Sequence, residues 1–313
     1  MACWTPFSNT REYERQHRGA QAHERLHGAV LPAVGLEQTH HVGHAGRSER
    51  AHAAPPELEY NKMLQKSTFQ KIVMEHWRRD GRHDLPWRTN INPYRILVSE
   101  MMLQQTQVSR VTGKFRSFIR AFPTFRALAL AKPSAVIREW QGLGYNRRAL
   151  MLHRCACEVT LLHAGRLPRD PDALCRLPGI GPYTAGAILV FAYDEPWPLL
   201  ETNIRRSYLH HFFPGRRSVA DRELLPVIER TMDRSHPRRW FSALMDYGAW
   251  LAGQVPNPNR RSRHYVKQSA FEGSDRQLRG RILRAMLQNE PLPADRRTGR
   301  IVARLIEEGF VVS

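Results

Sequence analysis

Two carboxylates set in apolar or helix-opening surroundings are the residues of this chain most able to do chemistry. Glu100 lies inside the run Pro93-Tyr94-Arg95-Ile96-Leu97-Val98-Ser99-Glu100-Met101-Met102-Leu103, which the spacing predicts as a helix. Its neighbours four and three residues before and three after are Ile96, Leu97 and Leu103. Burial on such a stripe penalises the charged form, raises the pKa and suits the group to proton donation. A Glu at the stripe edge reaching water is the competing reading. Glu201, in Pro198-Leu199-Leu200-Glu201-Thr202-Asn203-Ile204, opens another helix. Spacing alone favours a cap or dipole partner there. Taken together, one proton donor and one fixed carboxylate are what cleavage of an N-glycosidic bond requires: the first lets the base leave, the second stabilises a cationic sugar or positions water.

Polar groups that could face a nucleic acid surround these acids. Gln104, Gln105, Thr106 and Gln107 end the hydrophobic helix; amide side chains there can bond base edges, and simple helix termination is the alternative. The segment Leu177-Pro178-Gly179-Ile180-Gly181-Pro182-Tyr183-Thr184-Ala185 reads as helix, tight turn, helix. Gly179 and Gly181 allow a sharp turn and close ligand approach, and Pro182 suits a first helical turn. Amides at the N-terminus of the second helix then offer a seat for a phosphate oxygen.

The 313 residues carry formal net charge +19, with Lys+Arg 48 against Asp+Glu 29. That excess points to a polyanion partner and disfavours self-association, so a monomer on DNA is expected. No apolar run approaches the length of a membrane span. The four cysteines, Cys3, Cys155, Cys157 and Cys175, show no CxxC or Cys/His ligand spacing. Reduced thiols, no metal site and a cytoplasmic, nucleoid-associated location are the expectations. No secretory signal is visible.

Residues 1–62 differ from the rest, with seven of the 15 histidines and no sustained periodicity; they read as disordered or as an extension ahead of a true start at Met63. From there helix follows helix, at 93–105, 107–121, 134–141, 146–163, 171–176, 182–193, 203–213, 219–233 and 238–252, separated by Gly, Pro or Asn. No alternating strand series stands out, so the fold class is all-α. A basic loop, Arg260 to Lys267, follows Pro256. Residues 273–313 read as a basic tail of two amphipathic helices around Pro291 and Pro293, either a winged-helix-like unit or simple packing.

Five ordered blocks carry a resemblance: Leu85-Pro86-Trp87-Arg88, Ser99 to Gln107, Gly142-Leu143-Gly144-Tyr145, the glycine turn, and Met245-Asp246-Tyr247-Gly248-Ala249. Over roughly residues 65–255 the chain resembles the helix-hairpin-helix (HhH-GPD) DNA glycosylases, most of all adenine DNA glycosylases of the MutY type. The resemblance implies a two-lobed fold, with lobe one about 88–200, lobe two 63–87 plus 201–272, and the active site in the cleft between them. It implies that a mispaired or damaged base in double-stranded DNA is flipped into a pocket. On matching positions, Glu100 corresponds to the acid that protonates adenine, and Glu201 stands where the family has a catalytic aspartate. Asn203 helps hold that carboxylate, and Trp87 and Arg88 line the pocket. Tyr183 stands where relatives with lyase activity carry a lysine, which implies a monofunctional enzyme that leaves an abasic site. Gln104, Gln105, Thr106, Tyr145, Gly179, Gly181, Thr184, Arg260, Arg261 and Lys267 make up the implied DNA-binding set.

Four departures qualify it. Glu201 is one methylene longer than aspartate. Positions near Ala252, Asn259, Ser262 and Gln268 lack the four cysteines that hold an iron–sulfur cluster in many relatives, so no cluster is expected; a monovalent cation at the hairpin carbonyls is left open. Asn146 replaces a second aromatic beside Tyr145. The sequence also stops short of a C-terminal 8-oxoguanine-reading domain. The expected activity is therefore hydrolytic release of adenine opposite G or 8-oxoguanine; removal of mispaired thymine or uracil, and mismatch binding without catalysis, are the alternatives.

Overall fold

The computed structural model describes residues 56–267 and 271–310, with the backbone alone for 56–64. The readings of residues 1–55, Gln268, Val311 and Val312 lie outside the described residues.

Proline and side-chain caps punctuate the chain into helices. A proline occupies the first turn of α2 (Pro86–Thr89), α3 (Pro93–Leu103), α6 (Pro133–Trp140), α8 (Pro171–Arg176), α9 (Pro182–Tyr193) and α12 (Pro237–Leu251), where its missing N–H costs nothing. Asn92, Thr124, Asp170 and Glu201 each accept an amide at a helix start, opening α3, α5 (Phe125–Ala129), α8 and α10 (Thr202–Phe212). The remaining helices are α1 (Pro56–Asp80), α4 (Val108–Ala121), α7 (Arg147–Leu162), α11 (Asp221–Thr231), α13 (Asp275–Gln288) and α14 (Arg296–Glu307). Among the described residues there is no strand, only an isolated bridge between Val219 and Ser262.

Helix α9 is the hinge of the packing. Thr184 to Phe191 are all buried, because α9 touches α3, α8 and α12 at once; a helix covered on every side must be apolar all round. On one flank α3 packs on α4 and α7, and α5 and α6 pack on α7. On the other, α10 lies against α12, α12 against α1, and α11 against α10 and α1. A single hydrophobic cluster, from Phe69 to Leu251, runs through both flanks.

Three local features differ from the sequence reading. Helix α1 starts at Pro56, inside the stretch assigned to an extension. Helix α3 stops at Leu103, not at 105, because Gln105 takes the left-handed conformation, φ 54°. The short helices α2 and α5 carry too few residues for a periodic signal. The two tail helices are packed: Ile282, Leu283, Ile301, Leu305 and Phe310 form a second cluster with Ile137 and Leu150.

Candidate active site

A cavity of about 740 Å³ opens between α3 on one side and α10 and α12 on the other, and both acids line it. Its size is that of a small-molecule pocket. Glu100 comes from the middle of α3, 9% exposed, on the face whose neighbours are Ile96, Leu97 and Leu103. Burial, and after it the charge of Glu201, push its pKa up to about 7 against the opposing cation of Arg88. Among the described residues nothing donates a hydrogen bond to its carboxylate, so the neutral acid loses little by staying protonated.

Glu201 has the opposite surroundings. It is the N-cap of α10: Oε1 accepts from the Asn203 amide at 2.7 Å and the Ile204 amide at 2.8 Å. The Asn203 side-chain amide donates to Oε2 at 3.3 Å. Burial holds its pKa above the usual carboxylate value, and the two backbone N–H groups and then Arg206 and Arg205 limit the rise by favouring the anion. Cap and cavity residue are thus one role, not two competing ones, since the helix N-terminus that needs a cap points at the cavity. Asn203 is itself held by Arg206, which donates to its Oδ1 at 2.8 Å and to the Gly248 carbonyl at 2.5 Å.

Tyr183, in the first turn of α9, lines the same cavity. Burial and then the charges of Glu100 and Glu201 keep its phenol protonated. Trp87 and Arg88, from α2, line it as well. Arg88 grips both oxygens of Asp246 on α12, at 2.8 and 3.2 Å, and lies over the ring of Trp77. Asp246 also accepts from the Arg82 backbone and side chain. Despite its burial, these cations hold its carboxyl below the usual range.

Comparison with known proteins shows the family. Residues 98–227 match the HhH-GPD superfamily base excision DNA repair protein family. An adenine DNA glycosylase of Mycolicibacterium smegmatis is 36% identical over 246 residues, 73% of this chain and 84% of that protein. The chain belongs to the HhH-GPD superfamily of base-excision DNA glycosylases. A thymine/uracil-DNA glycosylase of Pyrobaculum aerophilum is 35% identical over 160 residues, 50% of this chain and 70% of that protein. The solved structure of a thermostable thymine-DNA glycosylase shares the fold, with TM-score 0.55 and 24% identity over 64% of this chain and 94% of that one.

The remaining sequence-predicted residues of the glycosylase divide into two groups. Gln104, Gln105 and Thr106 border the cavity, and of these Gln105 is exposed. Tyr145 stands 39% exposed at a left-handed position, φ 47°. Gly179 also takes φ 79°, and a Cβ there would lie 2.7 Å from the Met151 Cβ, so glycine is required. Gly181 has φ −94° and open space where a Cβ would stand; its backbone needs no glycine. The amides of both glycines take no backbone acceptor among the described residues. Arg260 and Lys267 are exposed.

Two readings need correction. Thr184 is buried, 4% exposed, and its hydroxyl accepts from the Gln104 amide at 3.3 Å; it sets the Gln104 side chain instead of facing DNA. Arg261 turns inward and donates to the carbonyls of Leu209 at 2.7 Å and Phe213 at 3.1 Å, closing the C-terminal end of α10. Asn259, from the same loop, reaches the Thr202 carbonyl at the other end.

Sequence reasoning missed Arg148. This residue of α7 is 9% exposed and donates to the carbonyls of Met101, Met102, Gln104, Gly144 and Tyr145 and to the Thr106 hydroxyl. It ties the end of α3 to the Gly144–Tyr145 turn. Burial lowers its pKa to about 10, which leaves it charged. Most of its partners are far away in sequence, so no local spacing reveals it. The Arg88–Asp246 pair went unread for the same reason.

Proposed function

We propose that the chain is a monofunctional adenine DNA glycosylase, which hydrolyses the N-glycosidic bond of adenine mispaired with G or 8-oxoguanine. The observation that carries the reading is the pair of cavity carboxylates with divergent surroundings. Glu100, with a pKa near neutrality, is the acid that protonates the departing base. Glu201, held by two backbone amides, is better supported as an anion and stabilises the developing positive charge on the sugar. Asn203 and Arg206 position that carboxylate. Tyr183 has no amine with which to form a Schiff base on the sugar, so the product is an abasic site. The name and 84% coverage of the M. smegmatis relative support adenine as the base.

The loop at Ala252, Asn259 and Ser262 offers no thiolate. Cys155, Cys157 and Cys175 lie in α7 and α8 and not in this loop. We propose that this chain functions without an iron–sulfur cluster, the loop being held by Asn259 and Arg261 through α10.

A second reading, removal of thymine or uracil opposite G, is favoured by the P. aerophilum relative, whose identity is nearly as high. Single-turnover base release on A:8-oxoguanine, A:G, T:G and U:G duplexes decides between them. Alkali-dependent scission on the A-containing duplexes alone is expected. Release confined to T:G or U:G, or scission without alkali, would refute the proposal.

A further inference from the structure

We propose that the helical hairpin α13–α14 is a second DNA-backbone surface, continuous with the Tyr145 turn, that grips the duplex beside the excised base. Residues 275–310 hold eight arginines and five acidic residues. Several of these charges are used within the hairpin. Arg279 pairs with Glu308, and Arg297 pairs with Asp275. Asp295 caps α14 by accepting from the amides of Arg297 and Thr298. Arg281, Arg284, Arg296, Arg300 and Arg304 are exposed and take part in no ion pair among the described residues.

Their arrangement favours a polyanion over plain solvation. Arg296, Arg300 and Arg304 follow at intervals of four on one face of α14, opposite the buried Ile301 and Leu305. Like charges at that spacing repel and destabilise an isolated helix. A tail whose only role was packing would gain by interleaving glutamates, whereas a row of phosphates relieves the repulsion and releases counterions.

Hydrogen bonds set this surface beside the exposed Tyr145 turn, which the proposed function places against DNA. Arg276 donates to the Tyr145 hydroxyl at 3.1 Å. Arg297 reaches the Gly273 carbonyl and the Asp275 carboxylate at 2.9 and 2.6 Å, which brings the start of α14 to the start of α13. Arg148 in turn fixes the Gly144–Tyr145 turn to the loop that borders the cavity. The hairpin is anchored by its own core on Ile137 and Leu150, so its charges are held in place and do not wave on a tether.

The test is the salt dependence of binding to a long undamaged duplex, which is independent of which base is excised. Fluorescence anisotropy gives Kd between about 50 and 200 mM salt, where the logarithmic slope changes by about 0.9 for each phosphate that the protein ceases to neutralise. The triple variant Arg296→Ala/Arg300→Ala/Arg304→Ala is expected to flatten the slope by about 2 to 3 relative to wild type. The charge-matched variant Arg116→Ala/Arg120→Ala/Arg126→Ala, on α4 and α5, is expected to change it by less than about 1. Equal changes in the two variants, or an unchanged slope in a folded triple variant, would overturn the proposal. If the triple variant melts early, Arg300→Ala alone keeps the test open, with an expected change of about 0.9 and no change counting against it.

Discussion

Gly248 offers the sharpest test of how the carboxylate of Glu201 is held. It lies in α12 where that helix presses on the start of α10. A Cβ at this position would fall 2.1 Å from the Asn203 carbonyl oxygen, 2.6 Å from its carbonyl carbon and 2.9 Å from its Cβ. All three are in the element that carries Glu201, and two of them are backbone, which no rotamer change can move. For Gly248→Ala to fit, the two helices must separate by roughly 1 Å, and a displacement of that size at a catalytic group costs about a hundredfold in rate. The Gly248 carbonyl also receives the Arg206 guanidinium that secures Asn203, so the shift loosens both supports at once.

The assay is single-turnover excision with enzyme saturating, alongside thermal melting and binding to undamaged duplex. Overpacking should lower stability by about 1–3 kcal/mol, leaving a folded protein whose affinity for undamaged DNA is close to wild type. The excision rate should fall about a hundredfold. A folded Gly248→Ala that excises at the wild-type rate would show that the position of α10 does not govern Glu201, and the positioning argument would fail.

Other expectations follow from the same geometry. With the Glu100 pKa at about 7 and the protonated form active, the excision rate should be flat at low pH and fall about tenfold between pH 6 and 8; a rate rising over that interval contradicts the assignment. Because that pKa lies above its unfolded value, the associated stability is present below about pH 4.5 and lost as pH rises through 7. Glu100→Gln should therefore abolish excision yet be more stable than wild type at pH 8, by up to about 3 kcal/mol, with the difference closing toward pH 5. Arg148→Lys keeps the charge but cannot satisfy six acceptors; melting should show a loss of about 2–3 kcal/mol, and discrimination between mismatched and matched duplex should weaken, whereas wild-type behaviour in both would remove Arg148 from the site. Arg261→Ala should lower stability by about 1–2 kcal/mol through the uncapped end of α10 with an unchanged salt slope of DNA binding; a slope lowered by about 0.9 would return Arg261 to the DNA-contacting residues.

Periodicity made the fold legible, because most helices here bury one face and are cut by Pro or Gly. Glu100 was readable for the same reason: a charge on the stripe Ile96, Leu97, Leu103 is a local contradiction that burial must resolve. Gly179 was readable because its turn requires positive φ. What escaped was everything set by contacts distant in sequence. The basic loop displays charge, but nothing in its order says that Arg261 folds back onto α10 while Arg260 and Lys267 stay outside. Thr184 shares the glycine-turn segment with residues that can face a phosphate, yet helix α9 rotates it into the core. Gly248, a glycine inside a helical pattern, is a local sign of close backbone approach, but its partner Asn203 can be named only from the structure.

The length of Glu201 has a physical reading in these contacts. A shorter acid at a helix N-cap commonly bonds an amide two or three residues on. In Glu201 one oxygen takes both the Asn203 and the Ile204 amides, and the second has a single long contact with the Asn203 side chain. The extra methylene therefore leaves the cap bonds of α10 intact. It also leaves one carboxylate oxygen weakly engaged in the cavity, where the proposed mechanism places its electrostatic role. The same helix start thus holds α10 and favours the anion of Glu201, while the apolar stripe of α3 favours neutral Glu100. On the proposed mechanism, the neutral acid and the anion are thus favoured by two elements that must pack this way for the chain to fold.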